Sequence, residues 1–174
     1  MQRDSLLRFS FDGLDIRGTV VRLTDTFQRA VLVSEGGTVA HRLLGEALCA
    51  AAVLGNTIKV DGSLALQTHG DGAARFLLAE CRNRTDLRGL VRLRREPEPD
   101  APTGGALGAP DPLLGRGHLA ITIDPDAGHR YQGITPLVET GFADAIATYF
   151  EQSEQLPTRL WLVTSETAAA GLML

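Results

Sequence analysis

Alternating apolar and polar residues predict a chain rich in antiparallel strands. The alternation recurs at residues 6–11, 16–23, 60–68, 75–82, 89–95, 118–124, 130–137 and 159–164, and residues 171–174 resemble the start of another strand. Within residues 60–68, Leu64 and Leu66 face one side, with small or polar residues between them. Short turns such as Gly70-Asp71-Gly72 connect neighbouring strands, which favours hairpins and a meander with one covered face.

Apolar residues at helical spacing predict three helices between these strands. The first covers residues 25–33, with Thr24-Asp25 as its N-cap and Gln28 completing a capping box. The second covers residues 38–55, and its segment 50–54 is apolar all round, so we expect it to be buried on more than one side. The third follows an N-cap at Thr140, and its predicted apolar face consists of Phe142, Ala143, Ile146, Ala147 and Phe150.

This order of elements indicates an α+β protein, with a mostly antiparallel sheet and helices packed on it. The length of 174 residues is suited to a single domain over residues 1–174. Residues 96–117 hold five of the eight prolines and five of the 19 glycines, which predicts a long irregular excursion. After Tyr149 a polar, acidic stretch ends the third helix, and Pro157 directs the chain into an extended segment.

Composition narrows the class of protein. The chain is 44% hydrophobic with a net charge of −4, which is expected of a globular protein and argues against a dedicated binder of polyanions. Two cysteines exclude a disulfide-dense scaffold, and the N-terminus lacks the apolar segment of a signal peptide. Since no apolar run reaches about 20 residues, we expect a reduced, cytoplasmic protein without a membrane span.

Two glycine-rich segments invite comparison with nucleotide-binding motifs. Residues 115–120 (GRGHLA) match the pattern G-x-G-x-x-G/A, but a proline-rich loop precedes them and a strand-like run follows. We therefore predict a loop that ends in a strand. Residues 70–72 lack the Lys-Ser/Thr pair of a P-loop, so we predict a hairpin turn there.

The histidines and cysteines form no metal-binding motif. The four histidines are His41, His69, His118 and His129, and they show neither H-x-H nor H-x-x-x-H spacing. Cys49 lies in the most apolar predicted helix, which indicates a small buried hydrophobe. Cys81 lies between Glu80 and Arg82, and because Arg82 could lower the pKa of this thiol, a thiol-dependent enzyme using Cys81 is one alternative.

A cluster of basic residues supports a second alternative, a nucleic-acid binder. It consists of Arg82, Arg84, Arg88, Arg92, Arg94 and Arg95. No aromatic residues are interleaved to stack bases, and an acidic, proline-rich segment follows, so charged strand edges are the favoured interpretation. The serines form no G-x-S-x-G motif, and Glu96 and Glu98 lie in the proline-rich loop. The motifs thus identify no catalytic, cofactor or metal residue, which favours binding over catalysis.

Several segments carry a resemblance that motif chemistry does not supply. They are residues 4–9 (DSLLRF), 16–18 (IRG), 59–62 (KVDG), 67–72 (QTHGDG), 87–89 (LRG), 130–133 (RYQG), 149–159 (YFEQSEQLPTR) and 169–174 (AAGLML). In this order they resemble the N-terminal domain of the heat shock protein 33 family of redox-regulated chaperones. The resemblance covers nearly the whole chain, although the loop at residues 97–112 is longer than is usual in that family.

The resemblance implies an ATP-independent holdase that binds unfolding or partly folded client proteins through exposed apolar surface. It implies no enzyme activity, a homodimer in the active state and no nucleic-acid partner. The family's zinc is held by four cysteines, in C-x-C and C-x-x-C motifs, in a C-terminal domain that follows a linker. Cys49 and Cys81 match neither motif, so we expect linker and zinc domain to be absent from this chain, and the chain itself to need no cofactor.

Overall fold

The computed structural model describes residues 3–57, 61–94, 113–137 and 141–174. The elements in chain order are β1 (Ser5–Ser10), β2 (Arg17–Leu23), α1 (Asp25–Val33), α2 (Thr38–Gly55), β3 (Gly62–Gly70), β4 (Ala74–Arg82), β5 (Asp86–Leu93), β6 (Gly117–Pro125), β7 (Tyr131–Pro136), α3 (Phe142–Tyr149), a π-helical turn (Phe150–Glu154), β8 (Leu160–Thr164) and β9 (Ala169–Met173). The α+β class predicted from periodicity is confirmed. The strands divide between two antiparallel sheets, one ordered β1-β2-β9-β8 and the other β5-β4-β3-β6-β7.

Helix α2 lies between the two sheets and contacts both. Its second half is buried on every side, from Ala47 to Gly55, as its uniformly apolar sequence predicts. The helix is long and apolar enough to cross a membrane, but 72% of it is buried inside the protein, as in the core helix of a globular domain. Small residues let the sheets come close: a Cβ added at Gly45 would lie 2.6 Å from the Thr164 hydroxyl.

The inner faces of both sheets supply the rest of the core. Leu64 and Leu66 on β3 are buried, as are Leu119 and Ile121 on β6, so the predicted inward faces of these strands are confirmed. On α3 the buried side chains are Phe142, Ala145, Ile146 and Tyr149. The buried face of this helix is therefore rotated from the predicted one, toward Ala145 and Tyr149. The predicted cap at Thr140 and most of the proline-rich loop lie outside the described residues.

Thr24 occupies the N-cap position of α1, as predicted, but its side chain makes no capping hydrogen bond. The carboxylate of Asp4 takes this role from a distant part of the chain. It accepts hydrogen bonds from the backbone N–H groups of Thr24 (2.6 Å), Asp25 (3.0 Å) and Thr26 (3.1 Å), and from the Thr26 hydroxyl. Asp4 therefore caps the orphan donors of α1 and joins the start of β1 to that helix.

These hydrogen bonds also set the acidity of Asp4. Partial burial raises the pKa of the carboxyl, but the Thr26 hydroxyl and the three backbone N–H groups lower it by more, so the folded pKa lies below the usual 3.8. A lowered folded pKa stabilises the protein at pH values above 3.8, and this stabilisation is lost as pH falls through the folded pKa.

We therefore predict that Asp4→Ala lowers the free energy of unfolding by about 1 to 2 kcal/mol at neutral pH, since four donors lose their acceptor. Urea denaturation followed by circular dichroism measures the difference. Asp4→Asn is an intermediate variant, because its one amide oxygen can accept from Thr24 and Asp25, whereas its amide nitrogen replaces the oxygen that accepts from Thr26. The difference in the free energy of unfolding between the natural protein and Asp4→Ala should become smaller below about pH 4. A difference that stays constant with pH would contradict this role of Asp4.

Candidate functional site

The outer face of the four-stranded sheet, the side away from α2, is apolar. Strand register places Leu7, Val20, Leu172 and Trp161 in one row across β1, β2, β9 and β8. Leu7 is 63% exposed and Trp161 52%, and Val163 beside Trp161 is 64% exposed. Large apolar side chains in this number at the surface of a sheet mark a binding surface, because isolated soluble domains seldom leave such a patch uncovered.

The surface continues into the β1–β2 hairpin. The tip of the Phe9 ring covers Gly18 on the neighbouring strand, where an added Cβ would collide with the ring. Phe11 packs edge-on against Phe9 with ring centroids 5.7 Å apart, and Leu14 and Ile16 in the turn are exposed. We name the combined area, from Val163 across the sheet to the hairpin, the apolar platform. It comprises Leu7, Phe9, Phe11, Leu14, Ile16, Val20, Trp161, Val163, Ala170 and Leu172.

Within the described residues, charge on the outward face of the platform's sheet is confined to two arginines. By register, Arg22 lies in the row that contains Ala170 and Val163, and Arg159 lies at the far end of the sheet opposite Leu174. In the described residues, no acidic side chain belongs to the outward positions of β1, β2, β8 or β9. The platform is therefore suited to apolar chains, with a weak preference for acidic neighbours.

The outer face of the five-stranded sheet has a different character. Arg88 on β5 bonds to Glu80 on β4 at 2.9 Å, and the Gln132 amide donates to the Thr122 hydroxyl at 2.9 Å. One large apolar side chain, Ile134, is exposed on this face, at 63%. Polar pairs thus stand on part of this face, where Leu78 and Leu90 are partly buried, whereas Leu7, Trp161 and Val163 on the platform are more than half exposed.

Sequence reasoning did not locate the platform, although a signal is present. Strands β2, β8 and β9 carry apolar residues at consecutive positions, as in Val20-Val21 and Trp161-Leu162-Val163. Such runs are typical of strands that are covered on both faces. In this structure one face packs on α2 and the other is the platform, which only the assembled sheet reveals.

The two segments with the strongest family resemblance contact each other. Tyr149 packs against Gly133, where a Cβ would lie 2.3 Å from its ring, and its hydroxyl is 3.0 Å from the Tyr131 hydroxyl. The same hydroxyl is 3.3 Å from the Glu154 carboxylate in the π-helical turn. Burial, and then the neighbouring Tyr131 and Glu154, raise the pKa of Tyr149, so its proton stays in place to hold α3 against β7. These contacts are consistent with a scaffold role for both segments.

Comparison with known proteins extends this resemblance. The sequence profile of the Hsp33 protein family matches residues 4–174. The chain belongs to the Hsp33 family. The 33 kDa chaperonin of Pseudoalteromonas translucida is 38% identical over 178 residues, covering 100% of this chain and 60% of that protein. The 33 kDa chaperonin of Ectopseudomonas mendocina is 41% identical over 167 residues, covering 96% of this chain and 55% of its own length.

A solved structure shows the same fold. The crystal structure of the 33 kDa chaperonin (heat shock protein 33 homolog) of Thermotoga maritima superposes with a TM-score of 0.77 at 21% identity, over 98% of this chain and 60% of that chain. The chain thus spans between 55% and 60% of the length of these Hsp33 relatives.

The described residues do not fit the zinc site that the Hsp33 resemblance implies. No three His, Cys, Asp or Glu side chains lie together as metal ligands in the described part of the chain. Cys49 packs toward Gly171 of the four-stranded sheet, whereas Cys81 packs against Gly55 near the end of α2. Six residues of helix separate those two levels, or about 9 Å, so the thiols cannot share a metal ion.

The alternative of a thiol-dependent enzyme loses its basis in the structure. Burial and, after it, the carboxylates of Asp86 and Glu80 together raise the pKa of Cys81 to about 11, which is the reverse of the effect expected from Arg82. Arg82 instead lies 3.7 Å from Asp126. No imidazole is hydrogen-bonded to Cys81 among the described residues; His69, for example, is five positions along β3 from the residue opposite Cys81, or about 17 Å.

The alternative of a nucleic-acid face is also weakened, because four of the six arginines, Arg82, Arg84, Arg88 and Arg94, contact acceptors on the protein. Arg84 lies 4.0 Å from Asp61, and Arg94 donates to the carbonyls of Gly70 and Gly72 at 2.9 and 3.0 Å. Arg95 lies outside the described residues. Arginines that pair with carboxylates or tie a hairpin together present little free positive charge to a phosphate backbone.

Both glycine motifs are structural, as predicted. In the turn at residues 70–72, the N–H of Asp71 donates to the Arg116 carbonyl at 3.0 Å and that of Gly72 to Leu114 at 3.3 Å. These amides are therefore not available to cradle a phosphate. The G-x-G-x-x-A segment continues into β6 at Gly117 and does not begin a helix. It is therefore not a dinucleotide-binding motif.

We predict that neither thiol of the folded domain reacts with Ellman's reagent at pH 8. Burial raises the pKa of Cys49 to about 12 and that of Cys81 to about 11, so both remain protonated as well as covered. The same assay in concentrated guanidinium is the control and should titrate both cysteines. Rapid labelling of Cys81 in the folded state would restore the enzyme alternative.

Proposed function

We propose that this domain is an ATP-independent holdase that captures unfolding proteins on the apolar platform. The observation that carries the proposal is the platform itself, a sheet face with Leu7, Trp161 and Val163 more than half exposed. The relatives are named 33 kDa chaperonins, which supports a chaperone function. In the intact protein we expect a stress-response role in the cytoplasm.

The proposed capture needs no nucleotide, because its driving force is the removal of apolar surface from water. Each Å² of apolar surface buried is worth about 25 cal/mol, and an unfolding client supplies many such side chains in any order. A flat platform of aromatic and aliphatic side chains accepts varied sequences, since it imposes few directional contacts. Client release then depends on the client refolding or passing to another chaperone.

We further propose that redox control belongs to a zinc-binding domain of the full-length protein and not to this domain. The two thiols present are buried and protonated, so peroxide has no accessible thiolate to oxidise among the described residues. The isolated domain should therefore bind clients constitutively, in reducing and in oxidising buffer alike.

The test is suppression of light scattering by a chemically denatured client, without nucleotide. The natural domain should suppress aggregation equally with and without peroxide. The double variant Leu7→Ser with Val163→Ser should require several-fold more protein for the same suppression, because both changed side chains are exposed on the platform.

Ile134→Ser is the matched control, since Ile134 is as exposed as Leu7, at 63%, but lies on the other sheet. It should retain full suppression. Aggregation that proceeds unchanged with an excess of natural domain would refute the holdase function. Equal losses in the control and the double variant would refute the platform as its site.

We also propose that the domain forms a homodimer through the platform while no client occupies it. Pairing through the last strand is not the cause, because β9 is paired on both sides, with β2 and with β8. Uncovered apolar surface is the remaining driving force.

Sedimentation equilibrium tests the dimer. The natural domain should show concentration-dependent dimerisation, and the Leu7→Ser, Val163→Ser double variant should shift toward monomer. Ile134→Ser again serves as the control and should dimerise as the natural domain does. A natural domain that remains monomeric at high concentration would exclude the dimer.

A further inference from the structure

The four-stranded sheet ends at β8, a five-residue strand without the charges or prolines that normally discourage pairing with another strand. Within the described residues β8 pairs with β9 alone. Its sequence, Leu-Trp-Leu-Val-Thr, contains no charge, no proline and no glycine. A regular, apolar, uncharged edge is a ready template for strand addition.

The other three sheet edges show the usual protection. Strand β1 carries Arg8, and β5 carries Asp86, Arg88 and Arg92. Strand β7 contains Gly133 and Pro136. Charges on an edge, or residues that interrupt its ladder, discourage pairing with a further strand. The absence of such residues is specific to β8.

The hydrogen bonds of β9 determine which backbone groups of β8 face outward. Arg159 and Leu174 exchange two bonds of 2.9 Å, and Ser165 donates to Ala168 at 2.8 Å. Because hydrogen-bonded and non-hydrogen-bonded pairs alternate in an antiparallel ladder, Trp161 and Val163 also bond to β9. The N–H and C=O groups of Leu160, Leu162 and Thr164 must then point away from β9.

Two of these three residues are accessible. Helix α3 contacts β8, and Leu160 is buried, whereas Leu162 and Thr164 are partly exposed. No backbone hydrogen bond of Leu162 or Thr164 to another element occurs in the described part of the chain. Each presents one N–H and one C=O to the open side, which is the pattern that an extended peptide satisfies.

We propose that β8 binds a segment of the client as an additional β-strand, continuous with the apolar platform. This inference rests on the proposed holdase function and specifies the form in which the client is held. Alternate side chains of the added strand would extend the row of Trp161 and Val163, while its backbone pairs with Leu162 and Thr164. The ligand class is therefore an extended, uncharged peptide segment, which unfolding proteins expose and folded ones conceal.

Three forms of one peptide test the backbone contribution. The first is a short fluorescent peptide of alternating isoleucine and threonine. The second is N-methylated on alternate residues, which blocks one hydrogen-bonding edge, and the third is N-methylated on consecutive residues, which blocks both. The first two should bind with similar affinity in fluorescence anisotropy, because an open edge remains. The third should bind about tenfold or more weakly, since no ladder can form.

A pair of variants tests the protein side. Thr164→Pro removes an outward N–H and places a ring at the edge, whereas Thr164→Val keeps that N–H. Both variants lose the bond from the Thr164 hydroxyl to the Arg42 carbonyl, so they are matched in that respect. Thr164→Pro should bind the first peptide as weakly as the natural domain binds the third, and Thr164→Val should bind it normally. Thermal unfolding of both variants confirms that they are folded.

The outcomes separate this inference from the holdase function. Equal binding of all three peptides, with normal suppression of aggregation, would overturn strand addition and leave the platform as the client site. Failure of every peptide and of suppression would overturn the holdase function as well. A dimer that the natural domain forms and Thr164→Pro loses, with equal binding of the three peptides, would assign the β8 edge to a second copy and overturn the inference.

Discussion

The burial of α2 between two sheets is the constraint on which the remaining structure depends. A helix that is apolar on every side must be covered on every side, and two sheets provide this cover. Small residues such as Gly45 and Gly55 let strands approach the helix closely. Each sheet therefore packs one face on α2, and the function of the domain depends on which side chains lie on the other face.

The two outer faces differ in how far their large apolar side chains are exposed to solvent. On the five-stranded sheet, cross-strand pairs such as Arg88–Glu80 satisfy polar side chains that water also solvates. On the four-stranded sheet, Trp161 and Val163 remain uncovered at a cost in solubility, which selection tolerates where the surface is used. The unprotected β8 edge adjoins that face, so apolar contacts and unpaired backbone groups occur together at one side of the sheet.

Sequence periodicity predicted the elements well because the signals are local. Helix α2 was predicted from residue 38 to residue 55, and its observed bounds are Thr38–Gly55. The position of the α1 cap was predicted correctly but its acceptor was missed, because Asp4 lies about 20 residues away along the chain and reaches the helix only through the β1–β2 hairpin. The pKa of Cys81 was also misjudged, since Arg82 is adjacent in sequence but points to Asp126, while burial dominates at the thiol.

The sequence by itself determined the α+β class, the wholly buried helix and the Hsp33 family, because hydrophobic periodicity and the order of motifs can be seen in the linear sequence. Only the tertiary structure decided that β9 is an inner strand, that the strands form two sheets, and that Leu7, Val20, Leu172 and Trp161 share a row. The physical reason is that strand pairing joins residues as far apart as Val20 and Leu172. Which face of an apolar strand is covered depends on partners that the strand's own sequence does not specify.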